Sequence, residues 1–321
     1  MAVAPPPVSL GERAFSLETG GGVGEEVHRP VLVKEILEGL SPKSGGVYVD
    51  GTLGNAGHAV AILEASNPDG FLLGIDQDNE ILQIARERLR PFEKRVRLIQ
   101  GNFSSIADVL KKEGFASVDG LLLDLGISSL QVDRAERGFS FNKEGPLDMR
   151  MDPSSGETVL EKIRESNEEE LAKVFREYGE ERLANKIARG VFDKMKRGEL
   201  NTTLDLAQVA YLSYSPAARH KKIHPATRIF QSLRIWVNRE LEVLKIFLKQ
   251  VPSLLKPNGR LCIISYHSLD DRIVKHTFRQ CVKEREDLKI LTKKPVRPSQ
   301  EEVAQNSRAR SAKLRVLSRM D

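Results

Sequence analysis

The chain has 321 residues, a length that fits one large domain or two modest ones with real cores. Hydrophobic residues make up 40% and charged residues 30%, as in ordinary globular proteins. No apolar run approaches the ~20 residues that cross a bilayer, so we expect no membrane partner. Cys262 and Cys281 have no spacing typical of a metal site or a disulfide, which favours reduced thiols in a cytoplasmic protein.

The net charge of +5 is unevenly distributed along the chain. Residues 272–321 carry 14 lysines and arginines against 6 acidic residues. Residues 206–239 carry six basic residues and no acid: Arg219, Lys221, Lys222, Arg228, Arg234 and Arg239. Each stretch alone is equally typical of a solvated helix face, but two such stretches together favour a polyanionic partner.

Residues 1–27 are rich in proline, glycine and small side chains, which predicts a disordered tail. From residue 31 onward, short apolar strands alternate with helices. Strands are predicted at 47–50, 71–76, 96–100 and 118–124, and helices at 31–40, 59–65, 79–89 and 106–113. This alternation predicts an α/β fold, with a doubly wound and mostly parallel sheet.

The alternation of strands and helices stops after residue 124. Residues 135–155 have the composition of a loop, and apolar residues then recur at helical spacing in 168–179, 181–197 and 203–213. We therefore predict a helical insert at 134–235 within a sheet domain formed by 28–133 and 236–321. A long helix at about 227–250, a strand at 260–265, a helix at 269–283 and strands at 288–292 and 313–318 complete a seven-stranded sheet.

Polar residues follow several predicted strands directly. The first strand runs into the glycine-rich turn DGTLGNAGH at 50–58, whose backbone N–H groups suit a nucleotide-like ligand but also a structural turn. Asp76 ends the second strand, where an acid accepts hydrogen bonds from ribose hydroxyls, or caps a helix. Phe103 follows the third strand and either flanks an adenine ring or belongs to the core.

Asp124 ends a fully apolar strand, so its carboxylate must emerge at the edge of the sheet where ligands bind. The loop LGISSLQVD that follows is rich in hydrogen-bonding groups, which favours a functional role. The loop SYHSLDDR at 265–272 should reach the same edge, where His267 orients a substrate or is a satisfied loop histidine. His220 and His224 have the spacing of a helical metal pair but no third ligand, so we predict no metal site.

Several long motifs resemble one family. Their order and number are specific, and they run from His28 to the C-terminus: HRPVLVK, DGTLGNAGH, GIDQD, DLGISSLQVD, GFSF, PLDMRMD, SYHSLDDR and ARSAKLRV. The chain thereby resembles the MraW-type family of ribosomal RNA small subunit methyltransferases (methyltransferase H). The resemblance implies a Rossmann-like class I methyltransferase fold with a helical insert. It implies transfer of a methyl group from S-adenosyl-L-methionine to N4 of one cytidine in the decoding region of 16S rRNA.

The resemblance also assigns roles to individual residues. The implied cofactor contacts are Ala56, Gly57, His58, Asp76, Phe103, Asp124 and Gln131. The cytosine amine is a poor nucleophile, so groups that accept its N–H protons are needed, and Asp124 or neighbouring carbonyls are the candidates. Asp124 is therefore a candidate both for accepting the amine protons and for contacting the cofactor. His267 is a second candidate for a catalytic residue. The target base must leave its stack to reach this edge.

The expected partner is 16S rRNA or the small ribosomal subunit, contacted by the helical insert, and a homodimer is a possible assembly. Three alternatives stay open. A NAD-dependent oxidoreductase is disfavoured because no G-x-G-x-x-G turn is present. A non-catalytic RNA-binding assembly factor is disfavoured because Asp76 and the loop after Asp124 are intact. A DNA amino-methyltransferase is disfavoured because the D/N-P-P-Y/F motif is missing.

Overall fold

The computed structural model describes residues 30–219 and 224–321, so the predicted tail, His220, Lys221 and Lys222 lie outside the described residues. A seven-stranded sheet forms the centre of the fold. Its strands are β1 (Val47–Asp50), β2 (Phe71–Asp76), β3 (Val96–Gln100), β4 (Val118–Asp124), β5 (Leu255–Ser265), β6 (Leu288–Ile290) and β7 (Lys313–Arg319). Their order is β3-β2-β1-β4-β5-β7-β6, and β7 runs antiparallel to both neighbours.

Helices cover both faces of the sheet and also fill the long connection between β4 and β5. Those on the sheet are α1 (Val33–Leu40), α2 (Gly57–Ala65), α3 (Asn79–Arg88), α4 (Ile106–Lys112), α12 (Glu240–Leu254) and α13 (Ser268–Glu284). Those between β4 and α12 are α5 (Ser129–Asp133), α6 (Val159–Glu165), α7 (Glu168–Gly179), α8 (Ala184–Lys196), α9 (Thr203–Ser213), α10 (Pro216–Arg219) and α11 (Ala226–Asn238). A short α14 (Gln300–Gln305) precedes β7.

The strands are apolar on both faces because each face packs against helices. Successive side chains of a strand point to opposite faces, and the two sheet cores follow that alternation. Leu72 and Leu122 pack with α1 and α2 on one face. Their neighbours Leu73 and Leu123 pack with α4, α12 and α13 on the other. The strand order and the two-sided core confirm the predicted α/β Rossmann-like fold of a class I methyltransferase.

Three of the strands end in an aspartate at the same edge of the sheet. Asp50, Asp76 and Asp124 close β1, β2 and β4, which are adjacent and parallel. From β1 the connections run outward to β2 and β3 on one side and to β4 and β5 on the other. Ligands bind at such a switch point, outside the carboxyl ends of the strands. The topology therefore brings three carboxylates to the expected ligand-binding edge.

A third apolar core lies outside the sheet and is made by the helices between β4 and α12. It extends in sequence from Phe139 to Leu233 and includes the fully buried Phe175. Helices α7 and α11 each place an apolar face in it. The segment between β4 and β5 thus has its own core, while the boundaries 134 and 235 of an inserted domain stay a prediction.

The predicted long helix at 227–250 is wrong. The structure has two helices there, α11 and α12, because Arg239 between them adopts a left-handed conformation with φ 51°. No glycine or proline marks the break, so the sequence pattern runs through it. The described parts of the chain contain no helix long and apolar enough to cross a membrane.

Candidate active site

A cavity of about 620 Å³ lies at the carboxyl edge of the sheet and extends to α11 and α12. Six of the seven cofactor contacts implied by the resemblance line it: Gly57, His58, Asp76, Phe103, Asp124 and Gln131. The seventh, Ala56, is fully buried and does not line the cavity. The cavity is large enough for a nucleoside-sized ligand.

Backbone N–H groups from two loops hold the Asp76 carboxylate. Gly54 donates to its Oδ2 at 2.9 Å and Asp78 donates to its Oδ1 at 3.0 Å. Burial raises the pKa of Asp76 to about 6, although these two N–H groups act in the opposite direction. The helix cap that the sequence left as an alternative role belongs to Asp78, which accepts from Glu80 N at the start of α3. Asp76 is therefore fixed in the cavity wall and is not the cap of α3.

Asp50 and His58 place buried polar atoms without partners beside the cavity. Asp50 is 1% exposed, and its Oδ1 accepts from Thr52 N while its Oδ2 has no partner among the described residues. His58 Nδ1 has no partner among the described residues, and its Nε2 makes no hydrogen bond but lies 3.4 Å from Asp124 Oδ2. Burial raises the pKa of Asp50 to about 7, and the nearby His58 opposes that rise. Buried polar atoms are usually satisfied, so these unpartnered atoms indicate a ligand or water here.

Asp124 is held in the cavity by Tyr266, the residue before His267. The Tyr266 hydroxyl donates to Asp124 Oδ1 at 2.9 Å, and His58 Nε2 lies 3.4 Å from Asp124 Oδ2. Burial and the adjacent Asp124 carboxylate raise the pKa of Tyr266 well above its ordinary value, so the phenol keeps its proton. The Asp124 side chain is 23% exposed, so its carboxylate faces the cavity and can accept a hydrogen bond from a bound molecule.

The turn between β1 and α2 depends on left-handed backbone at two positions. Gly54 has φ 51°, and Ala56, the residue before α2, has φ 60°. An alanine at such a position is strained by its Cβ, although the methyl group of Ala56 packs in the sheet core. The turn aims the first residues of α2, Gly57 and His58, at the cavity.

Phe103 and Gln131 line the cavity but also make contacts within the protein. Phe103 is 7% exposed and packs edge-on against Phe247 at 5.6 Å, so both of its expected roles, cavity wall and core, are compatible with its position. Gln131 Oε1 accepts from Ser128 N, and its Nε2 donates to Asp78 Oδ2. Both ends of the Gln131 amide are thus engaged, and direct cofactor contacts by Phe103 and Gln131 stay predictions.

His267 does not line the cavity. It caps α13, where its Nδ1 accepts from Asp270 N at 3.4 Å, and its Nε2 lies 2.8 Å from Asp270 Oδ2. Asp270 does line the cavity. The catalytic role expected for His267 stays a prediction, and this geometry leaves it only an indirect contribution, through Asp270.

Several cavity residues were not identified from the sequence. Arg234 and Glu240 form a nearly buried ion pair with an N–O distance of 2.7 Å. Asn238 accepts from Met151 N and donates to Met149 O, which fixes a loop on the cavity wall. Tyr266 stands in the SYHSLDDR motif and could have been found there. The others lie on helices more than a hundred residues from Asp124, and no local pattern indicates them.

The expected absence of a metal site concerned the pair His220 and His224. Among the residues that the structure describes, no group of three or more histidines, cysteines or acids could hold a metal ion. His220 lies outside that part of the chain. His224 stacks on Phe141 and Tyr211 instead of facing acidic side chains.

Known proteins resemble this chain along almost its whole length. A family model described as the MraW methylase family matches residues 25–320. A Geobacter sulfurreducens protein named ribosomal RNA small subunit methyltransferase H is 49% identical, over 91% of this chain and 99% of its own length. A Syntrophus aciditrophicus protein of the same name is 45% identical, over 91% and 98%.

Solved structures resemble the chain more distantly. Aeropyrum pernix fibrillarin in complex with S-adenosyl-L-methionine has a TM-score of 0.38 and 9% identity, and the match covers 86% of this chain and 67% of that one. Such a distant likeness carries no functional argument. The family model covers nearly the whole chain, and the relatives approach half identity. The family expected from the motifs is thereby confirmed: the chain belongs to the MraW methylase family.

Proposed function

We propose that this protein methylates N4 of one cytidine in the decoding region of 16S rRNA. The curated relatives named above are ribosomal RNA small subunit methyltransferases, and two basic stretches of this chain suit an RNA partner. Membership of a methylase family supports the expected methyl donor, S-adenosyl-L-methionine. The observation that carries the proposal is the Asp124 carboxylate, which faces the cavity and is oriented by Tyr266.

The residues of the cavity fit this cofactor. S-adenosyl-L-methionine supplies a methyl group that its sulfonium has already activated. The carboxylates of Asp76 and Asp124 line the cavity, which suits a cationic ligand. His58, whose Nδ1 has no partner among the described residues, lines the cavity and is available to the polar end of such a molecule. Asp76 is placed to accept hydrogen bonds from a ribose, as the resemblance implies.

The work of the protein is mainly alignment and proton acceptance. The N4 amine, which must attack the methyl carbon, carries a lone pair delocalised into the ring, and a carboxylate that accepts its N–H weakens that delocalisation. Asp124 lines the cavity and is such an acceptor, and Tyr266 orients it by donating to its Oδ1. Arg234, Glu240 and Asn238 also line the cavity, and the extruded base would lie among these polar groups.

The test of the proposal is the variant Asp124→Asn, assayed separately for methyl transfer and for cofactor binding. We expect methyl transfer to 16S rRNA to fall by at least about 100-fold while the Kd for cofactor changes little. When the methyl group of the cofactor is labelled with tritium, the label that the wild type transfers should map to N4 of a single cytidine. Near wild-type transfer by the variant would remove Asp124 as acceptor. Loss of transfer in proportion to loss of cofactor binding would assign it to the cofactor alone.

A further inference from the structure

The part of the cavity wall that α11 contributes carries hydrogen-bond donors that the chemistry described above does not use. Thr227, Arg234 and Asn238 line the cavity from this helix. Arg234 Nε and Nη2 donate to the two carboxylate oxygens of Glu240 at 2.7 Å and 2.9 Å. One edge of the guanidinium is therefore occupied, whereas its Nη1 has no hydrogen-bond partner among the described residues. Since Arg234 lines the cavity, these remaining donors are available to a ligand.

The guanidinium of Arg234 is fixed in one orientation and keeps its charge. Its side chain and that of Glu240 are both nearly buried. Burial acts against the charge, but Glu240 and Asp270 raise the pKa of Arg234 above its ordinary value. A guanidinium has five N–H donors in a planar fork, and the pair with Glu240 takes two of them. Nη1 and the outer N–H of Nη2 therefore form a second edge with two parallel donors.

The acidic side chains around Arg234 disfavour an anionic ligand at that second edge. Glu240 neutralises the guanidinium directly, and Asp270, which also lines the cavity, acts on the same charge. A phosphate, or the carboxylate of the cofactor, would be repelled by both acids there. A neutral group with two adjacent acceptors matches the free donors without that repulsion. Cytosine has such an edge, because its ring nitrogen N3 and its carbonyl oxygen O2 are both acceptors.

This part of the wall adjoins the loop that holds the reacting carboxylate. Tyr266 donates to Asp124 and stands two residues before α13, whose first turn contains Asp270. One segment of five residues, 266–270, therefore adjoins both Asp124 and the guanidinium of Arg234. N4 and N3 are neighbours on the edge of cytosine. A base whose N4 faces Asp124 thus presents N3 and O2 to a different part of the same wall.

We propose that Arg234 recognises the target base as cytosine, by donating from Nη1 and the outer N–H of Nη2 to N3 and O2 while N4 faces Asp124. This inference rests on the proposed function, since it assumes that a cytosine enters the cavity. Uracil carries an N–H at N3, which would point at the guanidinium and leave a donor of Arg234 unpaired. Unpaired polar groups in a buried site penalise the wrong base. Arg234 is therefore a specificity-determining residue, and Glu240 positions it.

The test removes one acceptor from the base and compares the effect in different proteins. The RNA carries either cytidine or 3-deazacytidine, which has C–H in place of N3, at the target position. In wild type, kcat/KM for cytidine should exceed that for 3-deazacytidine by about 10- to 100-fold. Arg234→Lys keeps a positive charge beside Glu240 but lacks the fork, so the ratio should fall at least about 5-fold. Any difference in the intrinsic reactivity of the two amines is common to all proteins and cancels.

Two further variants separate recognition of the base from a loss of structure. The double variant Arg234→Met with Glu240→Gln removes the ion pair without leaving a buried charge, and it should lower the ratio as Arg234→Lys does. Arg239→Lys is the matched control. Arg239 also donates from Nε and Nη2 to a glutamate, Glu242, at the same joint, but it does not line the cavity. The ratio should therefore keep its wild-type value in Arg239→Lys.

The outcomes distinguish the inference from the function on which it rests. The same ratio in wild type and in both Arg234 variants would overturn recognition by Arg234 and leave the function intact. A wild type that transfers no methyl group to the cytidine RNA would overturn both. Binding of S-adenosylhomocysteine should be nearly equal in wild type and Arg234→Lys. If that binding falls in proportion to methyl transfer, Arg234 serves the cofactor and the inference is wrong.

Discussion

The backbone conformation of Gly126 supports the loop that follows Asp124 at the carboxyl edge of the sheet. It follows Asp124 by two residues and has φ 143°, a region that side-chain-bearing residues rarely adopt. A Cβ there would meet only the Tyr266 ring, at an ordinary 3.5 Å, so the requirement for glycine comes from the backbone and not from crowding. The group next to Gly126 is the same Tyr266 ring that orients Asp124.

We expect Gly126→Ala to lower the free energy of unfolding by about 1–3 kcal/mol, because alanine must either adopt a strained φ or shift the loop. Such a shift would also displace Asp124 and lower methyl transfer. Gly101→Ala is the control, since Gly101 has an ordinary φ and its Cβ would meet open space. Urea unfolding and the methyl-transfer assay measure both effects. Equal stabilities of the two variants would show that the loop tolerates alanine at 126.

The raised pKa of Asp50 should make the free energy of unfolding depend on pH. Below pH 4 the Asp50 carboxyl is protonated in both the folded and the unfolded chain. Between pH 4 and 7 the folded chain holds it more tightly, because the pKa of Asp50 is about 7 in the folded chain, against an ordinary value of 3.8. The free energy of unfolding therefore falls as pH rises through this window. Asp50→Asn carries no such charge, so it should lose less stability over the same window.

The measurement is urea unfolding of wild type and Asp50→Asn at pH 5 and pH 8 without cofactor. Wild type should lose up to a few kcal/mol relative to the variant, given about 1.4 kcal/mol for each unit of pKa difference. Asp76 also has a raised pKa, but it is present in both proteins and its effect cancels. Parallel pH dependences of the two proteins would contradict a buried, protonated Asp50.

At the scale of elements, the joint between α11 and α12 depends on a buried ion pair. Arg234 and Glu240 face each other across the break, with side chains 12% and 13% exposed. Two residues further on, Glu242 pairs with Arg239, but those side chains are 53% and 65% exposed. The two glutamates are in the first turn of the same helix, so they differ mainly in the burial of their ion pairs.

We expect Glu240→Gln to lower the free energy of unfolding by about 3 kcal/mol, because it leaves the Arg234 charge buried without its partner. Glu242→Gln should cost far less than Glu240→Gln, because water screens an exposed pair. Both variants lose the same charge near the same helix end, so urea unfolding isolates the effect of burial. Similar costs for the two would mean that water reaches Arg234.

The same joint shows what the sequence could and could not predict about the elements. The predicted bounds of β1 to β4 agree with the structure, because each is a short apolar run closed by a polar residue or glycine. The break at Arg239 was missed, because an arginine with left-handed φ leaves no mark in the pattern of apolar residues. Local patterns identify strands well, but a joint fixed by a distant loop and a buried ion pair depends on tertiary contacts.

The site was predictable to the extent that its residues follow strands. Asp76 and Asp124 were identified because carboxyl ends of parallel strands meet at one edge. Tyr266 was overlooked in favour of His267, since only the structure shows which of two neighbouring side chains points to Asp124. The wall formed by Arg234 and Asn238 was not predicted, because their closeness to the sheet arises from packing across more than a hundred residues.

At the scale of the whole molecule, the two basic stretches meet at the cavity although they are far apart in sequence. The stretch 206–239 contributes Thr227 and Arg234 to the cavity lining. The stretch 272–321 contributes Arg308 and Ser311 to the same lining. Residues from both basic stretches therefore lie at the same cavity as the carboxylates of Asp76 and Asp124. Such an arrangement suits a polyanionic strand that delivers one base to a cationic cofactor.

An RNA strand that contacts both basic stretches should lose affinity when either stretch loses an exposed charge. Arg228→Gln and Arg310→Gln each remove one exposed charge, one from each basic stretch. For a side chain that neutralises one phosphate of single-stranded RNA, the slope of log K against log salt should decrease by about 0.7. Lys245→Gln removes an exposed charge of the same sign from α12, which packs on the sheet, and serves as control.

RNA binding measured between 50 and 300 mM salt (roughly the range in which counterion release dominates) gives the slopes. If all three variants lose the same slope, the attraction is a property of net charge and not of the two basic stretches. If only the two arginine variants lose it, the RNA strand contacts both basic stretches at once.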